Sequence, residues 1–287
     1  MPRWALLTEA WIAANRARRR LRKPALEEWR EGRLRFVDAH APGRSFADVG
    51  GLYSAHGEIA FRAEEAGASS VSLMDAGDPG YDPEYISEHD RRGSRVRFVQ
   101  GDLHDPATVS ALGEHDVVWC TGVVYHTPHP VDQLMKLRSV TRELLYLGTH
   151  TIPEVPGLPQ ACVFYPHLPE AQRRALARPH WRPRHLLGVG APFDDRPMHG
   201  YANFWWGITP SALRAMLRTA RFEIVEERRV HAYPWYVEVV ARPVARDPSL
   251  PPVSYYRRRA EARERGEPEL PFDDYYDRRR DSRSATP

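Results

Sequence analysis

The chain has 287 residues, 42% of them hydrophobic, and a formal net charge of +3, which suits one large α/β domain with additions or two small domains. No run approaches the roughly eighteen uninterrupted apolar residues of a transmembrane helix, and two cysteines, Cys120 and Cys162, are too few for a disulfide framework or a cysteine-based zinc site. The small charge also argues against the broad basic surface that tight nucleic-acid binding requires, and a reducing cytoplasm is the expected compartment.

The N-terminus "MPRWALLTEAWIAANRARRR" does not read as a signal peptide, because Thr8 and Glu9 break its apolar part and its arginines follow that part. Trp4, Leu7, Trp11 and Ala14 recur at helical spacing, so residues 3–22 read as an amphipathic helix. That helix could close over a ligand, pack on the core or form a dimer contact. Residues 1–35 hold ten Arg or Lys against four Glu, a net of +6, which leaves −3 for the rest. The run "RARRRLRK" is a solvated helix face or, alternatively, a phosphate-binding patch. A second helix is expected over 25–38 despite Gly32.

From residue 45 the pattern changes. Apolar runs of strand length at 45–49, 70–76, 95–102, 116–122 and 143–150 alternate with polar segments of helical period near 54–67, 84–92, 105–113 and 130–141. Such alternation predicts an α/β fold, a parallel sheet with helices on both faces. Residues 151–205 are rich in Pro, His and aromatic residues and show little period. A helix resumes at "TPSALRAMLRTA", with Thr209 as N-cap and Pro210 in its first turn. Strands at 222–230 and 235–243, four residues apart, predict an antiparallel hairpin. The tail, 246–287, has ten Arg and nine Asp or Glu and is expected to be mostly disordered, with at most one docked piece.

Ligands of such sheets bind in the crevice at the carboxyl ends of the strands. Four stretches fall there: Asp48-Val-Gly-Gly51, Asp75, Asp102 in "VQGDLHD", and "CTGVVYHTPHP". Gly50 allows close approach of the backbone, and an acid at Asp75 can accept ribose hydroxyls. Any one strand-ending Asp is equally well explained as a helix cap; four such sites in order, followed by a final hairpin, are harder to explain so.

On these residues the chain, from about 44 to 243, resembles the class I S-adenosylmethionine-dependent methyltransferases. The stretch "GVVYHTPHPVDQLMKL" resembles a segment of methyltransferases related to the tRNA wobble-uridine carboxymethyltransferases, and "YANFWWGITPSALRAMLRTARFEIVE" is similar to that group too. The resemblance implies a Rossmann-like seven-stranded sheet with an antiparallel last strand, N-terminal helices and an inserted lid. It divides the chain into a helical cap (1–40), a methyltransferase domain (41–245) with the insertion 151–205 as substrate lid, and the tail. It implies S-adenosylmethionine as cofactor, with Asp48, Gly50 and Gly51 at its methionine part, Asp75 at the ribose, Asp102 and Leu103 at the adenine, and Cys120, Gly122 and Tyr125 also at the cofactor.

The sequence departs from that family where Leu52 and Ser54 replace the later loop glycines and Arg221 replaces a glycine before the sixth strand. A glycine-poor loop counts against a dinucleotide, whose diphosphate needs close approach at a helix N-terminus, and suits a sulfonium cofactor that has no phosphate. His126 is the first candidate for a general base and His150 the second. Tyr201, Asn203, Trp205 and Trp206 are candidates to line the substrate pocket, although the Trp pair would equally pack the lid on the sheet. No HxH or HExxH pattern suggests a metal. The expected function is methyl transfer to a small-molecule acceptor at oxygen. The alternatives are an RNA-modifying transferase and a cofactor-binding regulator without turnover.

Overall fold

The computed structural model describes residues 24–53, 55–172, 204–230, 236–244 and 253–268. The helix expected at 3–22, with Trp4 and Trp11, lies outside these residues, as do Tyr201 and Asn203. Helix α1 (Pro24–His40) leads into strand β1 (Ser45–Val49), and α2 (Glu58–Glu65) connects it to β2 (Ser70–Asp75). Then come α3 (Pro83–Arg92), β3 (Arg97–Gln100), α4 (Pro106–Leu112), β4 (His115–Thr121), α5 (Pro130–Val140) and β5 (Thr141–His150). Two short strands, β6 (Cys162–Phe164) and β7 (Trp206–Ile208), precede α6 (Pro210–Thr219), β8 (Phe222–Arg229), β9 (Tyr236–Pro243) and α7 (Val253–Glu264).

The helix starts follow from local chemistry. Asp82, Asp105 and Thr209 each accept a backbone N–H from the first turn of α3, α4 and α6, and each is followed by a proline at the first helical position. That residue is orphaned of an intrahelical N–H partner anyway, so proline costs nothing there.

Seven strands form one sheet in the order β3-β2-β1-β4-β5-β9-β8. The pairs from β3 to β5 are parallel, and β9 runs antiparallel to both β5 and β8. Alternate residues face opposite sides. Phe46, Leu73, Val117, Trp119 and Tyr146 pack with Phe36 and Val37 of α1 and with α2 and α3. Val49, Val118, Cys120, Leu145 and Leu147 pack with α4, α5 and α6 on the other face. Both faces are covered, which is why the central strands read as continuous apolar runs.

Strand boundaries agree with the sequence reading to within two residues, with β5 and β3 at the limit: β3 is four residues long where eight were expected. Strands β6 and β7, which form a separate two-stranded sheet, were not expected at all. In the tail, α7 docks: Ala262 is buried.

Candidate functional site

The first loop after β1 is held by the packing around it. Gly50 has φ +79, and a Cβ there would meet Val123 Cγ2 at 2.3 Å. At Gly51 a Cβ would lie 2.1 Å from Asp48 Oδ2. Both positions therefore require glycine. Asp48 is fully buried, and its Oδ2 has no hydrogen-bond partner. Burial pushes its carboxyl up to about 7, against the pull of the Arg33 guanidinium and with a further push from Asp75.

Asp75, at the tip of β2, is also buried. Its Oδ2 accepts the Leu52 N–H at 3.0 Å and its Oδ1 the Gly77 N–H at 2.9 Å. Leu52 stands where the family has a glycine; it is buried, and its backbone ties the first loop to Asp75. Asp102 is exposed beyond β3 and accepts the His104 N–H at 2.8 Å, while Leu103 is buried in the core. Cys120, one residue before the end of β4, has a buried thiol that burial pushes up. Gly122 has φ +81, and a Cβ there would meet only the Tyr125 hydroxyl, at an ordinary contact distance of 3.7 Å, so its backbone conformation rather than crowding favours glycine.

The segment after β4 forms a single turn, Val124–His126. Tyr125 is buried, and burial pushes its phenol up. Its ring centroid lies 4.2 Å from that of His126, 5.0 Å from His150 and 4.7 Å from Phe204. His150 is 4% exposed, enclosed also by Tyr236 at 4.9 Å; His126 is partly exposed. The structure thus brings both histidines to one aromatic cluster at the carboxyl ends of β4 and β5. Trp205 N–H donates to the Tyr125 carbonyl, and Trp206 Nε1 donates to the Pro128 carbonyl at 3.0 Å. Trp206 also packs against the core. Of its two sequence readings, the geometry favours packing the 204–208 segment onto the sheet.

The sequence reading missed a group of residues centred on Arg33. The N-terminal half of α1 reaches the same end of the sheet. Arg33 lies with its guanidinium carbon 4.9 Å from the ring centroids of both Trp29 and Trp119. Its Nη2 donates to Thr121 Oγ1 at 2.8 Å, and its Nε is 3.6 Å from Glu238, which also accepts the Trp29 indole N–H at 2.8 Å. A signal existed: Trp29, Arg33, Phe36, Val37 and His40 share one helical stripe, and an Arg within an apolar stripe calls for a buried partner. That partner, Glu238, sits in the apolar run of β9.

Among the described residues no cluster of three or more His, Cys, Asp or Glu side chains could hold a metal, and no helix is long and apolar enough to cross a membrane.

No family model matches the sequence, and no curated protein sequence matches it. Solved structures do. The 1,6-didemethyltoxoflavin-N1-methyltransferase of Burkholderia thailandensis, with 1,6-didemethyltoxoflavin and S-adenosylhomocysteine bound, aligns at 19% identity over 84% of this chain and 89% of that chain, with a TM-score of 0.49. The N-terminal domain of EvdMO1 with S-adenosylhomocysteine bound aligns at 18% identity over 78% of this chain and 82% of that chain, with a TM-score of 0.50. The same domain in the presence of S-adenosylhomocysteine and D-fucose gives the same identity and score. This is the class I methyltransferase fold. Identities this low carry the fold and nothing finer. Within the class I methyltransferase fold, the sites Asp48–Gly51, Asp75, Asp102–Leu103 and Cys120–Tyr125 follow the first four strands in order, and all lie at the carboxyl ends of the sheet.

Proposed function

We propose that this chain is an S-adenosylmethionine-dependent methyltransferase acting on a small-molecule acceptor at oxygen. The observation that carries this reading is the set of carboxylates at three successive strand ends, Asp48, Asp75 and Asp102. Asp48 is buried with one oxygen unpartnered. Such an acceptor set fits a ligand that donates from an ammonium, ribose hydroxyls and an exocyclic amine. It does not fit a diphosphate, which the acids would repel and which no glycine cradle awaits. The S-adenosylhomocysteine held by the EvdMO1 domain supports the same cofactor class.

When bound, S-adenosylmethionine supplies an electrophilic methyl group on a cationic sulfur. The chain's part is alignment, exclusion of water and removal of a proton. Asp48, with the Gly50–Gly51 backbone, holds the methionine part, and the remaining lone pairs of Asp75 take the ribose. Asp102 accepts from the adenine amine beside Leu103. Cys120, Gly122 and Tyr125 line the methyl end. His126 accepts the proton of the acceptor hydroxyl: it stands next to Tyr125 and is partly exposed, whereas His150 is enclosed and better placed to orient the Tyr125 ring. Trp205 lines the acceptor side. Many described arginines, Arg30, Arg62, Arg91, Arg92 and Arg142 among them, are paired with carboxylates, which weakens the case for a nucleic-acid substrate.

Transfer of a labelled methyl group to a panel of hydroxyl- and amine-bearing small molecules tests the reading. The expected result is transfer to a hydroxyl, lowered about 10²- to 10⁴-fold in His126→Ala with cofactor affinity retained. Full activity of that variant removes His126 as the base. Cofactor binding with no transfer to any acceptor points instead to a regulator.

A further inference from the structure

The β4–α5 loop, which carries Tyr125 and His126, is tied to the β3–α4 loop by a chain of side chains that none of the preceding roles uses. Asp132 Oδ2 lies 2.9 Å from His104 Nδ1, and His104 Nε2 lies 2.5 Å from Thr127 Oγ1. Thr127 is buried, and its hydroxyl also accepts the His129 N–H at 3.1 Å. Lys136 Nζ donates to the His104 carbonyl at 2.8 Å and lies 3.2 Å from Asp132. The His104 and His129 rings meet edge to face at 5.7 Å. His104 follows Asp102 and Leu103 directly, and its N–H is bound by the Asp102 carboxylate.

An acid orienting an imidazole whose second nitrogen meets a hydroxyl is the arrangement of an activated nucleophile. Here the hydroxyl is buried and already bridges two partners, so the imidazole acts on the loop rather than on a substrate. We propose that His104 is a positioning residue: through Thr127 it holds the Tyr125–His126 turn in register with the Asp102–Leu103 loop, so that filling the second orders the first. This rests on the functional reading above, in which Asp102 and Leu103 meet the adenine and His126 meets the acceptor. The turn is also held from its far side. Trp205 and Trp206 hold the Tyr125 and Pro128 carbonyls, so the turn is gripped from the 204–208 segment on one side and from His104 on the other. An empty adenine loop that moves takes the His104 ring with it, and through Thr127 the turn. Only the folded loop presents His126 and Tyr125 in one position.

Amide hydrogen exchange of the full chain, with and without S-adenosylhomocysteine, tests this. In the wild type, binding should slow exchange of the 124–129 amides about tenfold, together with those of 102–105. In His104→Leu and in Thr127→Val, each confirmed folded by its thermal transition, binding should still protect 102–105 while the 124–129 response is lost. Asp132→Asn keeps an acceptor for Nδ1–H and should retain the response. A purely structural brace would change exchange equally in free and bound protein. Equal ligand-induced protection of 124–129 in wild type, His104→Leu and Thr127→Val overturns the inference alone. Failure of every form to bind S-adenosylhomocysteine overturns the functional reading and this inference with it.

Discussion

Both oxygens of Asp75 already accept a backbone N–H, from Leu52 and from Gly77, so this carboxylate is fixed before any ligand arrives. Preorganisation of that kind removes the ordering cost of binding. Asp75→Ala should lower affinity for S-adenosylhomocysteine by at least about tenfold, the worth of one charge-assisted hydrogen bond, while the fold survives. Unchanged calorimetric affinity in a folded variant rejects the ribose assignment. The strand-end positions of Asp48, Gly50 and Asp75 were legible in the sequence because strand ends are marked by where apolar runs stop. His104 and Asp132 were not. Their meeting depends on how a loop and the first turn of α5, 28 residues apart in the chain, lie together, and neither residue differs locally from a solvated polar side chain.

Among the elements, α1 does more than cover the core. Its Arg33 is sandwiched between Trp29 and Trp119 and balanced by Glu238. Removing one member of a buried pair leaves the other charge uncompensated, at a cost of about 3–5 kcal/mol. Glu238→Gln should therefore destabilise the protein by about 3 kcal/mol in urea unfolding. Arg33→Met in the same chain should recover most of the loss. A loss below about 0.5 kcal/mol, the level of an ordinary surface change, would mean that solvent screens the pair. The element pattern was legible almost throughout, since each central strand is a short apolar run and three of the helices, α3, α4 and α6, open on an Asp-Pro or Thr-Pro step. Strands β6 and β7 were hidden because three residues are too few to show a period, and they lie among prolines and aromatics. The Trp29–Arg33–Glu238 contact was hidden because α1 and β9 are joined across some two hundred residues.

At the scale of the whole molecule, two buried groups set opposing pH dependences. Asp48 is raised to about 7 in the fold from 3.8. The stability it contributes is present below pH 4 and is lost as pH rises towards 7, because the folded state binds the extra proton in that window. Burial pushes His115 down to about 4 from 6.5. Its contribution is present above pH 6.5 and is lost as pH falls through 4, because there the unfolded state binds the extra proton. Between about pH 4 and 6.5 the two slopes cancel. His115→Gln should show stability falling with pH in that range relative to wild type, and Asp48→Asn should show it rising, each by up to about 1.4 kcal/mol per pH unit. Identical slopes in all three proteins, from unfolding at a series of pH values, would show that neither group titrates as its burial implies. We propose that the acidic crevice of this class I methyltransferase fold holds S-adenosylmethionine. It is tested most directly by calorimetric titration of the ligand-stripped protein with S-adenosylmethionine, S-adenosylhomocysteine and NAD in parallel. Saturable binding of the two sulfur compounds without NAD is the predicted result; binding of NAD alone, or of none of the three, would contradict it.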